Sequence, residues 1–391
     1  MTDRVAECLR LREWVIPLLT RSVGPDEAVA SWPNVSAGGW SLFLAAETVA
    51  WPLSNRLGAA ISCLPQPVRA ELDRATRLEV QRIMAARAEL AVVDRIADSC
   101  ALEPIVLKGG VALADGSHGF DLGDLDLLLP AAQIERFAEA LMDGGFNYHR
   151  AIAVSYTSDG ALPIELHDAL EVGYAVKPAA ETEHVPLARF RRLRRLSPVA
   201  HVMYMIQHST TKHALRRGHL RDVLLIGSTL DGCSAAERAE VERAVKASPM
   251  RALYGATLAL ARATQSDGAR SPAPATDEFR RVAAGKYATS VWFPQGAPSM
   301  LPLFLDQVPH FVASVADARR LAFGYLRTGN PPGSRWHSPG LARISAPLAN
   351  GLGVAARTPY RLMALSAACA VGSYIRLCYR WRWSETASAS R

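Results

Sequence analysis

The 391 residues exceed one minimal domain and suggest roughly two or three structural units; 49% are hydrophobic and 21% charged, the composition of a globular protein. A net charge of +7 and a pI near 9.2 permit an anionic partner but bear on association rather than fold. Cys8, Cys63, Cys100, Cys233, Cys369 and Cys378 form no CxxC pair and no zinc-like spacing, so buried reduced thiols are expected, and the charged start MTDRVAECLRLREW argues against secretion and for a cytoplasmic protein.

From about Trp40 to Cys100 the pattern is helical. It is clearest in AELDRATRLEVQRIMAARAELAVVDRIADSC, where apolar residues recur at three and four with no Gly or Pro. The pattern changes at Pro104. IVL reads as a short strand, followed by Gly109, Gly110 and a brief helix VALAD. LDLLL is a second strand bounded by Pro130, and AAQIERFAEALMDGG is an amphipathic helix stopping at Gly144 and Gly145. AIAVSY and LPIEL are strands joined through the Asp-Gly of TSDGA, a hairpin signal.

Beyond Pro186 the chain is expected to turn helical again, in FRRLRRL, then VAHVMYMIQHSTTKHALRRGHLRDVLLIGSTL, then SAAERAEVERAVKA. TQSDGARSPAPAT and GNPPGSRWHSPG read as loops. LMALSAACAVGSYI is apolar but bounded by Arg361 and Arg376, short of the ~20 residues that span a bilayer. A buried helix is expected there, with a membrane-associated C-terminus as the alternative and no stable membrane insertion. The expected architecture is α/β: a small mixed-sheet core over 100–185, an N-terminal helical region over 1–99 and a C-terminal helical region over 186–391.

The chemistry concentrates in IVLKGGVALADGSHGFDLGDLDLLLP, residues 105–130. Side chains alternate along a strand, so Asp124 and Asp126 project to one face and Leu125 and Leu127 to the other. Two carboxylates so placed repel unless a cation lies between them, and hard oxygen ligands suit Mg²⁺ together with the phosphates of a substrate. The competing reading of Asp-x-Asp alone is a solvent-facing edge strand. A strand, a Gly-Gly turn and a helix start place backbone N–H groups where an anion can approach, and Lys108 adds a positive charge; alone, Lys-Gly-Gly is also a tight turn. It is no Walker loop, whose Lys follows the glycines, and no GxGxxG fingerprint.

Taken together, strand, Gly-Gly, thirteen residues, then Asp-Leu-Asp in an apolar strand resembles the DNA polymerase β-like nucleotidyltransferase superfamily. LKGG followed by DLDLLL is most similar to its uncharacterised bacterial family with the LKG signature, over about residues 100–225. The resemblance implies that Lys108, Gly109 and Gly110 contact a nucleoside triphosphate and that Asp124 and Asp126 bind Mg²⁺ or Mn²⁺. It also requires a third carboxylate on a later strand, which IELHD supplies. Glu165 faces away from Ile164 and Leu166 and alongside His167; Asp168 is the competing choice.

Glu165, Leu166 and His167 match the family's acidic, apolar, His pattern, which adds His167 to the nucleotide-binding residues. HSTTKH resembles the family's helical segment carrying a His and a Lys-His pair, giving His208, Lys212 and His213, and RGHLRDVLLI resembles its helix opening with an Asp, giving Asp222. His208 and His213 are five apart rather than the four that align on one helix face, which disfavours zinc; Lys212, one turn after His208, is placed to reach a phosphate. Members commonly carry an Arg shortly before the Asp-x-Asp. This chain has His118, Phe120 and Asp121 there.

The implied activity is transfer of a nucleoside monophosphate from an NTP, such as ATP, to an acceptor hydroxyl on a small molecule, a peptide or protein, or RNA, with release of pyrophosphate. Asp124, Asp126 and Glu165 would be both catalytic and metal-binding. The missing Arg favours one rival, a degenerate nucleotidyltransferase fold acting as a binding or scaffold protein. His167-Asp168 is also the dipeptide of HD-type phosphohydrolases, although here it ends a strand. Arg189, Arg191, Arg192, Arg194 and Arg195, with Arg216, Arg217 and Arg221, read either as an electrostatic guide for NTP or RNA or as a solvated helix face, and no aromatic interleaving supports base stacking. GxSxG and HExxH are absent.

Overall fold

A computed structural model describes residues 2–115, 122–150, 154–157, 162–172, 175–212, 219–248 and 251–265. The chain opens with helices α1 (Thr2–Leu19), α2 (Pro25–Ala30), α3 (Ala37–Glu47) and α4 (Ala50–Leu57). Trp14, Trp32 and Trp40 meet edge to face, with ring centroids 4.9, 5.3 and 6.3 Å apart, in a core with Leu11, Phe43 and Leu53. The Ser36 hydroxyl accepts from Gly39 N–H to start α3, and Thr48 ends it in the left-handed region.

Helix α5 (Gln66–Ser99) is 34 residues long, and three of its carboxylates hold backbone N–H groups of other elements. Buried Glu79 accepts from Ala50 (2.9 Å) and Trp51 (2.7 Å), capping α4. Glu89 accepts from Leu162 (2.9 Å). Asp94 accepts from Arg191, Arg192 and Leu193 (3.1, 2.8 and 3.1 Å). Each contact joins positions at least 28 residues apart in sequence.

After α5 come β1 (Ile105–Val106), α6 (Gly109–Ala114), β2 (Leu125–Leu128), α7 (Ala131–Asp143), β3 (Asn147–Arg150), β4 (Val154–Thr157), β5 (Ile164–His167), β6 (Ala169–Val172), β7 (Ala175–Pro178), β8 (His184–Pro186) and β9 (Arg194–Leu196). Helices α8 (Pro198–Gln207), α9 (His219–Asp231), α10 (Ala235–Ala247) and α11 (Arg251–Ala263) follow, and the α8 coil continues as a π turn over His208–Lys212. The strands form a seven-stranded mixed sheet in the order β3-β4-β5-β2-β1-β9-β8, with β6 and β7 as a separate hairpin. β2 runs parallel to β5 and antiparallel to β1, and β1 runs parallel to β9.

The alternation expected in LDLLL holds. Leu125, Leu127 and Leu129 pack with Ile164 against α5 and α7, whereas Leu128 packs on the other face with Ile105, Leu107 and Tyr204 of α8. A mixed sheet with helical regions before and after it is thus the architecture expected from sequence. In the AIAVSY–LPIEL pair, β4 and β5 are antiparallel with Tyr156 opposite Ile164; residues 151–153 and 158–161 lie outside the described residues.

Two expectations need correction. FRRLRRL is not helical: it closes the β8–β9 hairpin and carries the sheet to Leu196. Asp94 ties down the backbone of the turn, while Asp98 binds Arg191 and Arg192 and Glu103 binds Arg194; these distant carboxylates override the local helical pattern. The expectation of buried thiols holds for Cys8, Cys100 and Cys233 but not for Cys63, which is exposed at the end of a short 3-10 turn. β3 and the β6–β7 hairpin had not been anticipated. Cys369, Cys378, the GNPPGSRWHSPG loop, most of TQSDGARSPAPAT and the apolar LMALSAACAVGSYI lie outside the described residues. Among those described, no helix is long and apolar enough to cross a membrane.

Candidate metal and nucleotide site

The site forms where β2 and β5 run side by side. The parallel register places Asp126 opposite Glu165 and Leu128 opposite His167. Alternation then sends Asp126, Glu165 and His167 to one face of the sheet, the face that also carries Leu128 and α8. Ligand atoms of these three residues lie within 4.8 Å of one another. His167 Nε2 is 2.8 Å from Asp126 Oδ1 and 3.9 Å from Glu165 Oε2.

Lys108 completes the cluster from the β1–α6 turn, its ammonium 2.7 Å from the same Asp126 Oδ1. Asp126 is 2% exposed. Burial alone would raise its carboxyl pKa, but the Lys108 charge and the His167 hydrogen bond outweigh burial and hold it well below the usual carboxylate range. Burial likewise opposes the charge on Lys108, and Asp126 above all overcomes it, keeping the ammonium above the ordinary lysine range. Glu165 moves the other way: burial, then the charges of Asp124 and Asp126, push its carboxyl up.

Two carboxylates and one imidazole suit a hard divalent cation such as Mg²⁺ or Mn²⁺, the nitrogen making Mn²⁺ the easier fit. Asp126, Glu165 and His167 could thus hold a metal ion, a group that shares Asp126 and Glu165 with the set expected from sequence. Asp124 flanks β2, half-buried, outside this group of three but near enough for its charge to act on both Glu165 and Lys108. Asp168 falls at the bend after β5, where its carbonyl accepts from Ala179 N–H, and it too lies outside the group.

Both glycines of the turn are buried, and packing accounts for them. A Cβ on Gly109 would lie 2.2 Å from Leu122 Cδ2, and one on Gly110 would lie 2.6 Å from Val106 Cγ1 and 3.0 Å from Leu125 Cδ1. Their bare Cα atoms let α6 settle onto β1 and β2. The strained residue is the lysine itself, at φ 51° and ψ −133°.

His208 ends α8 at the start of the π turn, with its ring 5.9 Å from that of Tyr204; Tyr204 is within electrostatic reach of Lys108. The backbone of Lys212 closes that turn. His213, Arg216, Arg217 and the stretch holding His118, Phe120 and Asp121 lie outside the described residues. Asp222 sits in the first turn of α9, nearly buried, its Oδ1 accepting from the Arg221 guanidinium at 2.8 Å.

Four arginines of the run are paired among the described residues, Arg191 and Arg192 with Asp98, Arg194 with Glu103 and Arg195 with Asp115, while Arg189 is exposed. Sequence reasoning missed His201, which sits behind Lys108. Its only signal was a polar and aromatic spacing of three and four, His201, Tyr204, His208, on an otherwise apolar helix.

The family described as "Uncharacterised nucleotidyltransferase" matches residues 43–264, more than half of the chain. Neither the curated proteins nor the solved structures contain a match to it.

Proposed function

The chain belongs to the family of uncharacterised nucleotidyltransferases, and on that premise we propose that it moves a nucleoside monophosphate from an NTP to an acceptor hydroxyl, releasing pyrophosphate. The observation that carries this reading is the cross-strand pair Asp126–Glu165, joined by His167 and faced by the Lys108 ammonium. Asp126 and Glu165, with His167 and the neighbouring Asp124, would hold Mg²⁺ or Mn²⁺. When bound, the metal neutralises phosphate charge and lowers the pKa of the acceptor hydroxyl.

The chain's own groups supply the rest. Lys108, kept protonated by its surroundings, offers a fixed positive charge to phosphate oxygens in a site shielded from water, where such a charge counts for more than in solution. Glu165, opposite Asp126 across the strand pair, is placed to accept the acceptor's hydroxyl proton at a carboxylate oxygen. His167 Nε2 steadies Asp126 Oδ1. Positioning and charge carry the reaction, and no covalent intermediate with the protein is needed.

The test is incubation with each labelled NTP and Mg²⁺ or Mn²⁺, alone and with size-fractionated lysate, following pyrophosphate release and the fraction that takes up label. Release that disappears in Asp126→Asn and Glu165→Gln supports the assignment. Undiminished release in both variants overturns it. Phosphate released from a monoester in a manner dependent on Asp168 would instead mark a phosphohydrolase.

A further inference from the structure

Lys108 adopts φ 51° and ψ −133°, a backbone state that glycine tolerates and that costs a side-chain-bearing residue on the order of 1–3 kcal/mol. Glycines stand at the next two positions, yet the lysine occupies the strained one. Something outside the turn must hold it there.

The neighbouring peptides are pinned locally: Leu107 N–H donates to Asp126 O at 3.0 Å, Gly110 N–H to Leu107 O at 3.2 Å, and Val111 N–H to Lys108 O at 3.3 Å. The one side-chain contact to the Lys108 carbonyl among the described residues comes from another element, His201 of α8, whose Nε2 lies 3.2 Å from that oxygen. A carbonyl only accepts, so Nε2 carries the proton. The ring is 2% exposed, and burial, together with the charge of Arg195, lowers its pKa to about 4, leaving it neutral and in one tautomer near pH 7.

The same stripe of α8 presents Tyr204 to the lysine, so the helix backs the turn from behind while β2 faces it from the front. A buried donor in one tautomer restrains a peptide as a mobile surface group cannot.

We infer that His201 is a positioning residue of this site: by donating to the Lys108 carbonyl it keeps that residue in its positive-φ conformation and so aims the ammonium at Asp126 Oδ1. The inference rests on the proposed nucleotidyl transfer for its consequence but not for its geometry, and each is tested separately. His201→Gln keeps an N–H near the Nε2 position; His201→Met fills the space without a donor.

In a crystal structure of His201→Met, Lys108 is expected to relax to negative φ, with its ammonium withdrawn from Asp126; in His201→Gln it stays. Unchanged Lys108 geometry in His201→Met overturns the inference whatever the protein catalyses. In calorimetric titration with a non-hydrolysable NTP analogue and Mn²⁺, His201→Met is expected to bind about tenfold more weakly, the loss of one well-placed charged contact, and His201→Gln within about threefold of wild type. Equal weakening in both variants, or a His201→Met protein that does not fold while His201→Gln does, makes the residue merely structural and overturns the inference. A wild-type protein that ignores the analogue while the crystal geometries shift as expected counts against nucleotidyl transfer alone.

Discussion

Asp126 and Glu165 face each other directly across the parallel pairing of β2 and β5, and Asp126 is also the shared acceptor of Lys108 and His167. Removing its charge therefore acts twice. Asp126→Asn should abolish Mn²⁺ binding, read by titration calorimetry, and should lower stability by roughly 3 kcal/mol, because the Lys108 ammonium is left buried without its partner. Replacing both residues with apolar ones, Lys108→Met with Asp126→Leu, should destabilise less than the sum of the single changes in urea unfolding. Additive losses would mean that the two side chains do not interact.

Glu89 offers a pH signature away from the site. It is buried in α5, its Oε1 has no hydrogen-bond partner among the described residues, and burial pushes its carboxyl up to about 7 against the Leu162 N–H that pulls it down. With the folded value raised above 4.5, the stabilising contribution is complete below pH 4.5 and is lost as pH rises through about 7. Glu89→Gln cannot ionise and keeps an acceptor for Leu162. Its melting temperature should match wild type near pH 4.5 and exceed it at pH 8; a constant difference across that range would refute the assignment.

Alanine at the two glycines should be ranked by the stiffness of what it meets rather than by distance. Gly109→Ala meets the end of the Leu122 side chain, which can swing aside, whereas Gly110→Ala meets Cγ1 of β-branched Val106 and then Leu125. Overpacking of this kind costs about 1–3 kcal/mol, and Gly110→Ala is expected at the upper end. Denaturant unfolding of the two variants checks the order.

Arg12 and Glu47 form a buried pair, 2.8 Å apart and 6% and 0% exposed, and the other Glu47 oxygen accepts from Leu220 N–H at the start of α9. Arg12→Met removes the cation from a carboxylate that stays buried, a change expected to cost about 3 kcal/mol and to speed hydrogen exchange of the Leu220 amide. Exchange at wild-type rate would show that the N-terminal helices do not brace α9.

Much of the site was legible because it follows from short-range rules. Once the family resemblance called for a third carboxylate, strand alternation favoured Glu165 over Asp168 and put His167 beside it, and the apolar flanks of Asp126 marked β2. What stayed hidden depends on contacts between distant positions. The arginines of FRRLRRL have helical spacing, but the partners that bend them into a hairpin lie on and just after α5, more than 90 residues upstream. The glycines were read for an approaching phosphate, whereas their missing Cβ atoms are also demanded by Leu122, Val106 and Leu125, and packing leaves no mark on a local motif. The spacing of His201 with Tyr204 and His208 marked a helix stripe but not its role, since a histidine in an apolar helix looks the same whether or not a strained carbonyl waits beside it.

Glu79, Glu89 and Asp94 each clasp a different element from the one helix α5. Adding or deleting a single residue between them would rotate everything beyond it by about 100° and slide it about 1.5 Å, so at least one clasp would miss its target. Homologues should accordingly vary the length of this helix only ahead of Glu79 or behind Asp94, and an artificial spacer placed between those two positions should uncouple the front helices from the sheet without touching a single residue of either.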